Sequence, residues 1–136
     1  MIKWKTVVIL CVLILISLVA YFATYNLWSD KNSFDISTTS DQIVASFLNN
    51  ENDANKYFIE KKIRVTGKIK EINNLNNRYT IKLYTQYKDH YILCDLKRNQ
   101  YDQLKTVQKN QNVSIIGKCK GFLKDVVLLE CTIVSK

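Results

Sequence analysis

Proline is absent from these 136 residues, glycine occurs three times and histidine once. Three scattered glycines cannot build the glycine-rich loop whose backbone amides cradle a phosphate. The single histidine, His90, has no matching partner in a chelate motif. Four cysteines are present, but Cys119 and Cys131 stand twelve positions apart, unlike the close pairs of structural zinc sites. Catalysis needs convergent groups, such as a nucleophile beside a base or two facing carboxylates. The acidic residues Asp89, Asp95, Asp125 and Glu130 are instead dispersed. The expectation is a protein that is not an enzyme and holds no metal and no cofactor. The missing proline, together with abundant Asn, Lys and Ile, fits AT-rich codon use and excludes little about fold.

What is present is charge of one sign and one long apolar run. The net charge is +8. Setting aside Lys3 and Lys5, which precede the apolar run, 18 basic and 12 acidic residues remain, a balance of +6. A basic domain can meet nucleic acid, anionic lipid or acidic polymers. Here the lysines are spread along the chain, which also describes an ordinary solvated surface.

Residues 6–28 read "TVVILCVLILISLVAYFATYNLW", without a charge. As a helix this stretch reaches roughly 34 Å, enough to cross a bilayer core. A helix is also the single-segment structure that satisfies its own backbone amides in lipid. Tyr21, Tyr25 and Trp28 fall at the far end, where amphipathic rings favour the interface. Lys3 and Lys5 lie before the span, and Asp30 and Lys31 after it offset each other. The positive-inside bias then puts the N-terminus in the cytoplasm and the rest of the chain outside. A cleaved signal peptide fits less well, because Tyr21 would stand three residues before a cut after Ala23. A lipoprotein signal fits least, since Cys11 follows Leu10 inside the apolar run. The expected organisation is a cytoplasmic 1–5, a transmembrane helix 6–28, a polar tether 29–40 and a folded domain 41–136.

In the domain, Thr39 can cap a helix with Gln42 as its reciprocal partner. Ile43, Phe47, Ala54 and Phe58 fall on one helical stripe, with Val44 and Leu48 beside it, and Asn49–Asn50 is a break. From Lys62 the period becomes two. Ile63, Val65, Gly67 and Ile69 alternate with Arg64, Thr66, Lys68 and Lys70. "NNLNN" at 73–77 is turn chemistry. Strands at 79–87 and 90–96 follow, with a turn at Lys88–Asp89. Tyr101, Leu104 and Val107 then recur every three residues, as on a helix. Strands at 112–121 and 126–134 end the chain. Three strands, a helix and two strands describe a mainly β protein: a five-stranded Greek-key OB-fold barrel. An SH3-like barrel lacks that helix.

The last two strands carry "GKCKGFLKDVVLLEC". Alternation places Val113, Ile115, Gly117 and Cys119 on one inward face, and Val127, Leu129, Cys131 and Ile133 on another. A bulge at Gly121 would set Cys119 opposite Cys131, and in an oxidising compartment the two can form a disulfide. Cys94 also points inward and competes, and three buried free thiols are the plain alternative.

OB-folds bind single strands on the outer face of the first three strands, using rings and cations. The outward residues here are Arg64, Lys68, Lys70, Lys82, Tyr84 and Tyr91. They form a candidate ligand face, or a lysine-rich strand surface that discourages edge pairing.

The segments "YFIEKKIRVTGKIKEI", "YILCDL" and "VSIIGKCKGFLKDVVLLECTIV" resemble the tRNA_anti-like group of OB-fold domains. The resemblance covers about 41–134, and "DANKY" at 53–57 is similar to its lead-in to the first strand. Where that family often has Gly-Asp before the fourth strand, this chain has Asn110-Gln111-Asn112, and asparagine tolerates the left-handed backbone such a turn needs. The resemblance implies a small bacterial envelope protein, often behind a membrane anchor. It implies no catalytic residues, and fold alone does not transfer anticodon binding. The expected role is recognition of a protein, peptide or anionic envelope ligand by a domain held outside the bacterial inner membrane. Single-stranded nucleic acid is the alternative partner, disfavoured by that location.

Overall fold

The computed structural model describes residues 3–29 and 33–135, without the side chains of 26–29 and 135. The side chain of Trp28, with Asp30 and Lys31, therefore lies outside the described residues. The chain divides into two units, one ending at Ser33 and one beginning at Phe34.

The first unit is helix α1, Trp4–Ser29. Trp4–Tyr25 is long and apolar enough to cross a membrane, as a span or as a signal sequence. Tyr21 and Tyr25 stack on one another one turn apart, with ring centroids separated by 6.4 Å.

In the second unit five strands close a barrel: β2 (Lys62–Leu75), β3 (Arg78–Leu83), β4 (Ile92–Leu96), β5 (Asn112–Phe122) and β6 (Val126–Ser135). β2 is long because it serves two neighbours. Its first half, Lys62–Lys68, pairs antiparallel with β5, and its second half, Ile69–Leu75, pairs antiparallel with β3. β4 joins β3 antiparallel and β6 parallel, and the β5–β6 hairpin completes the ring. Closure removes the free edges that short antiparallel strands would otherwise expose. This is the OB-fold topology expected from the order of elements.

The strand expected over 79–87 is shorter, ending at Leu83, and one stretch read as irregular is a strand. Ile36–Thr39, inside the stretch expected to be a tether, forms strand β1, parallel to Ile63–Thr66 of β2. Asp35 anchors it: its carboxylate accepts from the Lys62 amide at 2.8 Å, and its own amide donates to the Lys62 carbonyl. Four residues carry too short a pattern to announce a strand. The pairing comes from the side of β2 that β3 leaves open.

Helix α2 (Ser40–Asn49) starts as its sequence dictates. The Thr39 hydroxyl accepts from the Gln42 amide at 3.2 Å, and the Gln42 side chain accepts from the Thr39 amide. Asn50 ends α2 and caps α3 (Glu51–Phe58), its side chain accepting from the Asp53 amide at 3.1 Å. The stripe faces inward: Ile43, Val44, Phe47, Ala54 and Phe58 are buried, while Leu48 stays exposed. Phe47 stacks on Phe122 at the β5–β6 hairpin and lies 5.7 Å from Phe58. Burying one such ring stabilises by about 2–3 kcal/mol. The helix between β4 and β5 is a 3₁₀ helix, Arg98–Thr106, which suits an apolar repeat of three. Its buried Gln100 accepts from the Ile133 amide at 3.3 Å.

The barrel interior holds Ile63, Val65, Ile69, Ile81, Leu83, Ile92, Cys94, Ile115, Cys119, Val126, Leu128 and Cys131, none of them reached by solvent. Here a second expectation is corrected. Val127 and Leu129 do not share the inward face with Cys131; Val126 and Leu128 do. Glu130 is a bulge at φ +54°, and the parity of β6 changes there. The hairpin register also differs. Phe122 pairs with Val126, and the extra residue near Gly121 lies on β5, so Cys119 faces Leu128, not Cys131. A bulge on β5 moves Cys119 away from Cys131 rather than toward it. The structure has Cys94, Cys119 and Cys131 as free buried thiols.

Candidate functional site

The outer face is built by three strands and one bulge. β2 and β3 slip register between Ile69 and Glu71, which leaves Lys70 as an extra residue. A bulge re-aims side chains, and Lys70 turns toward β4. Its Nζ sits 3.7 Å from the centre of the Tyr91 ring and 5.9 Å from that of Tyr84. Lys82 comes from β3 with its Nζ 5.3 Å from the Tyr91 ring. The same ammonium pairs with Glu71 Oε1 at 2.7 Å. Tyr91 precedes β4, and its amide donates to Asp125 Oδ1 at 2.8 Å, so the hairpin fixes the ring's position.

The electrostatics are those of held cations. A hydrogen bond with Tyr91 raises the Lys70 pKa against some desolvation. Hydrogen bonds from Lys82 and then Asn73 lower that of Glu71. Lys70 therefore stays charged over the whole physiological range.

Lys68, two residues before Lys70, opens on a neighbouring cleft of about 370 Å³ with Tyr84, Thr39, Asp41, Thr66 and Gln86. Asp41 is engaged there, its Oδ1 accepting from the Gln86 amide at 2.6 Å. Tyr84 belongs to both places, being within reach of Lys70 and lining the Lys68 cleft. Five of the six residues named from sequence thus lie together.

Arg64 does not join them. It lies on the β5 side of β2, opposite Ile116, and β1 runs beside it at Ser37. Its guanidinium stacks 4.5 Å from the centre of the Phe34 ring, and its Nε is buried without a hydrogen-bond partner. Phe34, just before β1, is the side chain that stacks on this arginine.

Sequence reasoning missed the apolar half of the face. Leu75, Leu93, Val127 and Leu129 line a shallow cleft of about 280 Å³ with Thr80 and the ion pair Arg78–Asp95. Leu93 stands directly opposite Lys82 across β3–β4, so the two halves adjoin. Strict alternation through β6 hid Val127 and Leu129; only the bulge at Glu130 turns them out.

His90 is a clasp between turns: Nδ1 lies 2.6 Å from the Lys124 carbonyl, and the ring is 5.7 Å from Phe122. Among the described residues no three His, Cys, Asp or Glu side chains gather as metal ligands.

Known proteins bear on this arrangement. The protein-family model tRNA_anti-like matches residues 1–133. A structure from Klebsiella pneumoniae subsp. pneumoniae MGH 78578, named a "putative nucleic acid-binding lipoprotein", superposes with a TM-score of 0.59 at 14% identity, over 73% of this chain and 92% of that one. An aspartyl-tRNA synthetase structure from Leishmania major Friedlin, likewise named "putative", matches with a TM-score of 0.49 at 8% identity, over 80% of this chain and 22% of that one. The S. pombe Stn1–Ten1 complex matches with a TM-score of 0.43 at 12% identity, over 55% and 59%. No curated protein matches in sequence. The Klebsiella likeness concerns the fold; the family match spans nearly the whole sequence, and the chain belongs to the tRNA_anti-like family.

Proposed function

We propose that this protein is a recognition module without enzymatic activity, whose outer β2–β4 face binds a protein, peptide or anionic envelope polymer. In this reading α1 is an uncleaved anchor with Lys3 and Lys5 on the cytoplasmic side, and the barrel works outside the bacterial inner membrane. The observation that carries the binding reading is the placement of Lys70 and Lys82 over Tyr91. The ring holds the Lys70 ammonium in place for an anionic group, Lys82 beside it is tied to Glu71, and the adjoining Leu93, Val127 and Leu129 add apolar contact.

Single-stranded nucleic acid is the second reading. Tyr84 and Tyr91 beside lysines on this face of an OB-fold favour it, as does the name of the Klebsiella protein. Against it, Lys70 already occupies a face of the Tyr91 ring at 3.7 Å, where a base would stack. Two lysines and Glu71 also leave the cluster only weakly positive.

The test uses the full chain in uncharged detergent micelles, titrated with a fluorescent acidic peptide and with a fluorescent oligo-dT. The peptide is expected to bind at low salt, and the K70A/K82A double variant to weaken it about tenfold. Oligo-dT binding without peptide binding, falling steeply with salt, favours the second reading. Binding of neither at low salt overturns both. A reporter fused after Lys136 fixes the side of the membrane: activity in the cytoplasm sinks the proposed orientation.

A further inference from the structure

β4 and β6 lie side by side and parallel, with Cys94 opposite Leu128 and Leu96 opposite Cys131. The register slips between these pairs because β6 holds the extra residue Glu130. Beyond that bulge the Cys131 side chain points inward and leans back along its own strand. Its Sγ lies 3.4 Å from the Leu128 carbonyl, to which the thiol donates. Leu128 is level with Cys94 on β4 and with Cys119 on β5, so the sulfur of Cys131 is directed back to the level of both, and of the two thiols it is Cys94 that bears on it. On the β5 side it rests over Gly117, where a Cβ would come within 2.5 Å of Sγ, so Gly117 is what leaves room for it. Neither Cys94 nor Cys131 meets solvent. Cys119 stands directly across the hairpin from Leu128.

We propose that Cys94 and Cys131 form a cross-strand disulfide between β4 and β6 when the chain folds in the presence of a disulfide oxidant, with Cys11 and Cys119 remaining thiols. The chemistry is thiol–disulfide exchange. A Cys94 thiolate attacks one sulfur of the oxidant, and the oxidant's other sulfur leaves as a thiol. The Cys131 thiolate then attacks the Cys94 sulfur of this mixed disulfide and releases the second oxidant thiol. Two electrons and two protons pass from the cysteines to the oxidant.

The folded barrel works against both steps. Burial and then the Cys94 thiol push the Cys131 pKa well above its ordinary value, so its thiolate is scarce at neutral pH. Burial also pushes Cys119 up to about 11. Solvent reaches neither member of the pair, so a dissolved oxidant does not either. The bond therefore forms before the barrel closes, and the closed barrel keeps whichever redox state it was folded in.

The experiment takes the full chain in detergent micelles, reduced and unfolded in urea, and refolds it with glutathione disulfide. Free thiols are then tagged under denaturing conditions at low pH, and the peptides are mapped by mass spectrometry. The expected result is the loss of two of the four taggable thiols and one peptide pair joining Cys94 to Cys131. C119S should lose two thiols as well, whereas C94S and C131S should lose none. Folded reduced protein given the same glutathione disulfide should keep all four thiols. A map joining Cys119 to Cys131 or to Cys94, or four free thiols after oxidative refolding of the unsubstituted chain, overturns the proposal. Rapid oxidation of the folded protein overturns the claim that closure fixes the redox state.

Discussion

Glu60 is an unusual residue to find with a left-handed backbone, at φ +63°. Of the six non-glycine residues with positive φ among the described residues, four are Asn76, Asn77, Asp89 and Asn110, each at a turn. Asn and Asp tolerate this conformation best after glycine. A chain with three glycines thus makes its turns largely with asparagine, and the Asn110 turn before β5 is of this kind. Glu60 has no such excuse and is held by its surroundings. Its amide donates to the Cys119 carbonyl at 2.9 Å, and its carboxylate pairs with Lys120 and, at 3.6 Å, with Lys118. The hydrogen bond from Lys120 is the largest cause of a Glu60 pKa below the ordinary 4.5. A carboxyl depressed in the folded state adds stability above its unfolded pKa, and that stability is lost as pH falls through the folded value. Acidification below 4.5 should therefore cost the wild type more urea resistance than it costs E60Q. Urea midpoints at pH 7 and pH 3 for both proteins check this, and equal losses would show that the two lysines do not matter to Glu60.

At the scale of elements, ends were legible where a side chain makes them, and registers were hidden where backbone irregularity makes them. Thr39 and Gln42 announce the start of α2 because a capping box is local in sequence. Removing it in T39A should lower stability by about 1 kcal/mol, read as a drop in the urea midpoint with an unchanged slope. T39S, which keeps the accepting oxygen, should stay near wild type. The bulges gave no such notice. Lys70 and Glu130 each add a residue to a strand whose alternation reads as regular on either side. A slip of one residue exchanges the two faces of a strand, which is why Val127 and Leu129 were expected inside and are found outside. The same slips bring Lys70 to Tyr91 and Cys131 toward Cys94.

For the molecule as a whole, the two units differ in how they satisfy physics. α1 is long and apolar enough over Trp4–Tyr25 to cross a membrane, as a span or as a signal sequence. The second unit closes its own barrel and buries its own core. Residues 34–136 alone should accordingly unfold in one cooperative transition at the urea midpoint of the full chain in micelles. A much lower midpoint for the fragment would mean that the core depends on α1.

The amino-acid sequence by itself determined the membrane-length helix, the barrel strands, the capped helix pair and the helix between β4 and β5. Each rests on short-range signals: an uncharged run, alternation of period two, caps, and turn-forming asparagines. Five of the six outward residues gathered as expected, because Lys68, Lys70, Lys82, Tyr84 and Tyr91 lie on neighbouring stretches of β2, β3 and the approach to β4. Only the tertiary structure decided that Arg64 stacks on Phe34 away from the others, that the face continues into Leu93, Val127 and Leu129, and that Cys119 faces Leu128 rather than Cys131. Those outcomes depend on which strands become neighbours and on where one extra residue is accommodated. Both are settled by closing a ring of hydrogen bonds around one core, a condition on the whole barrel that no local stretch of residues can express.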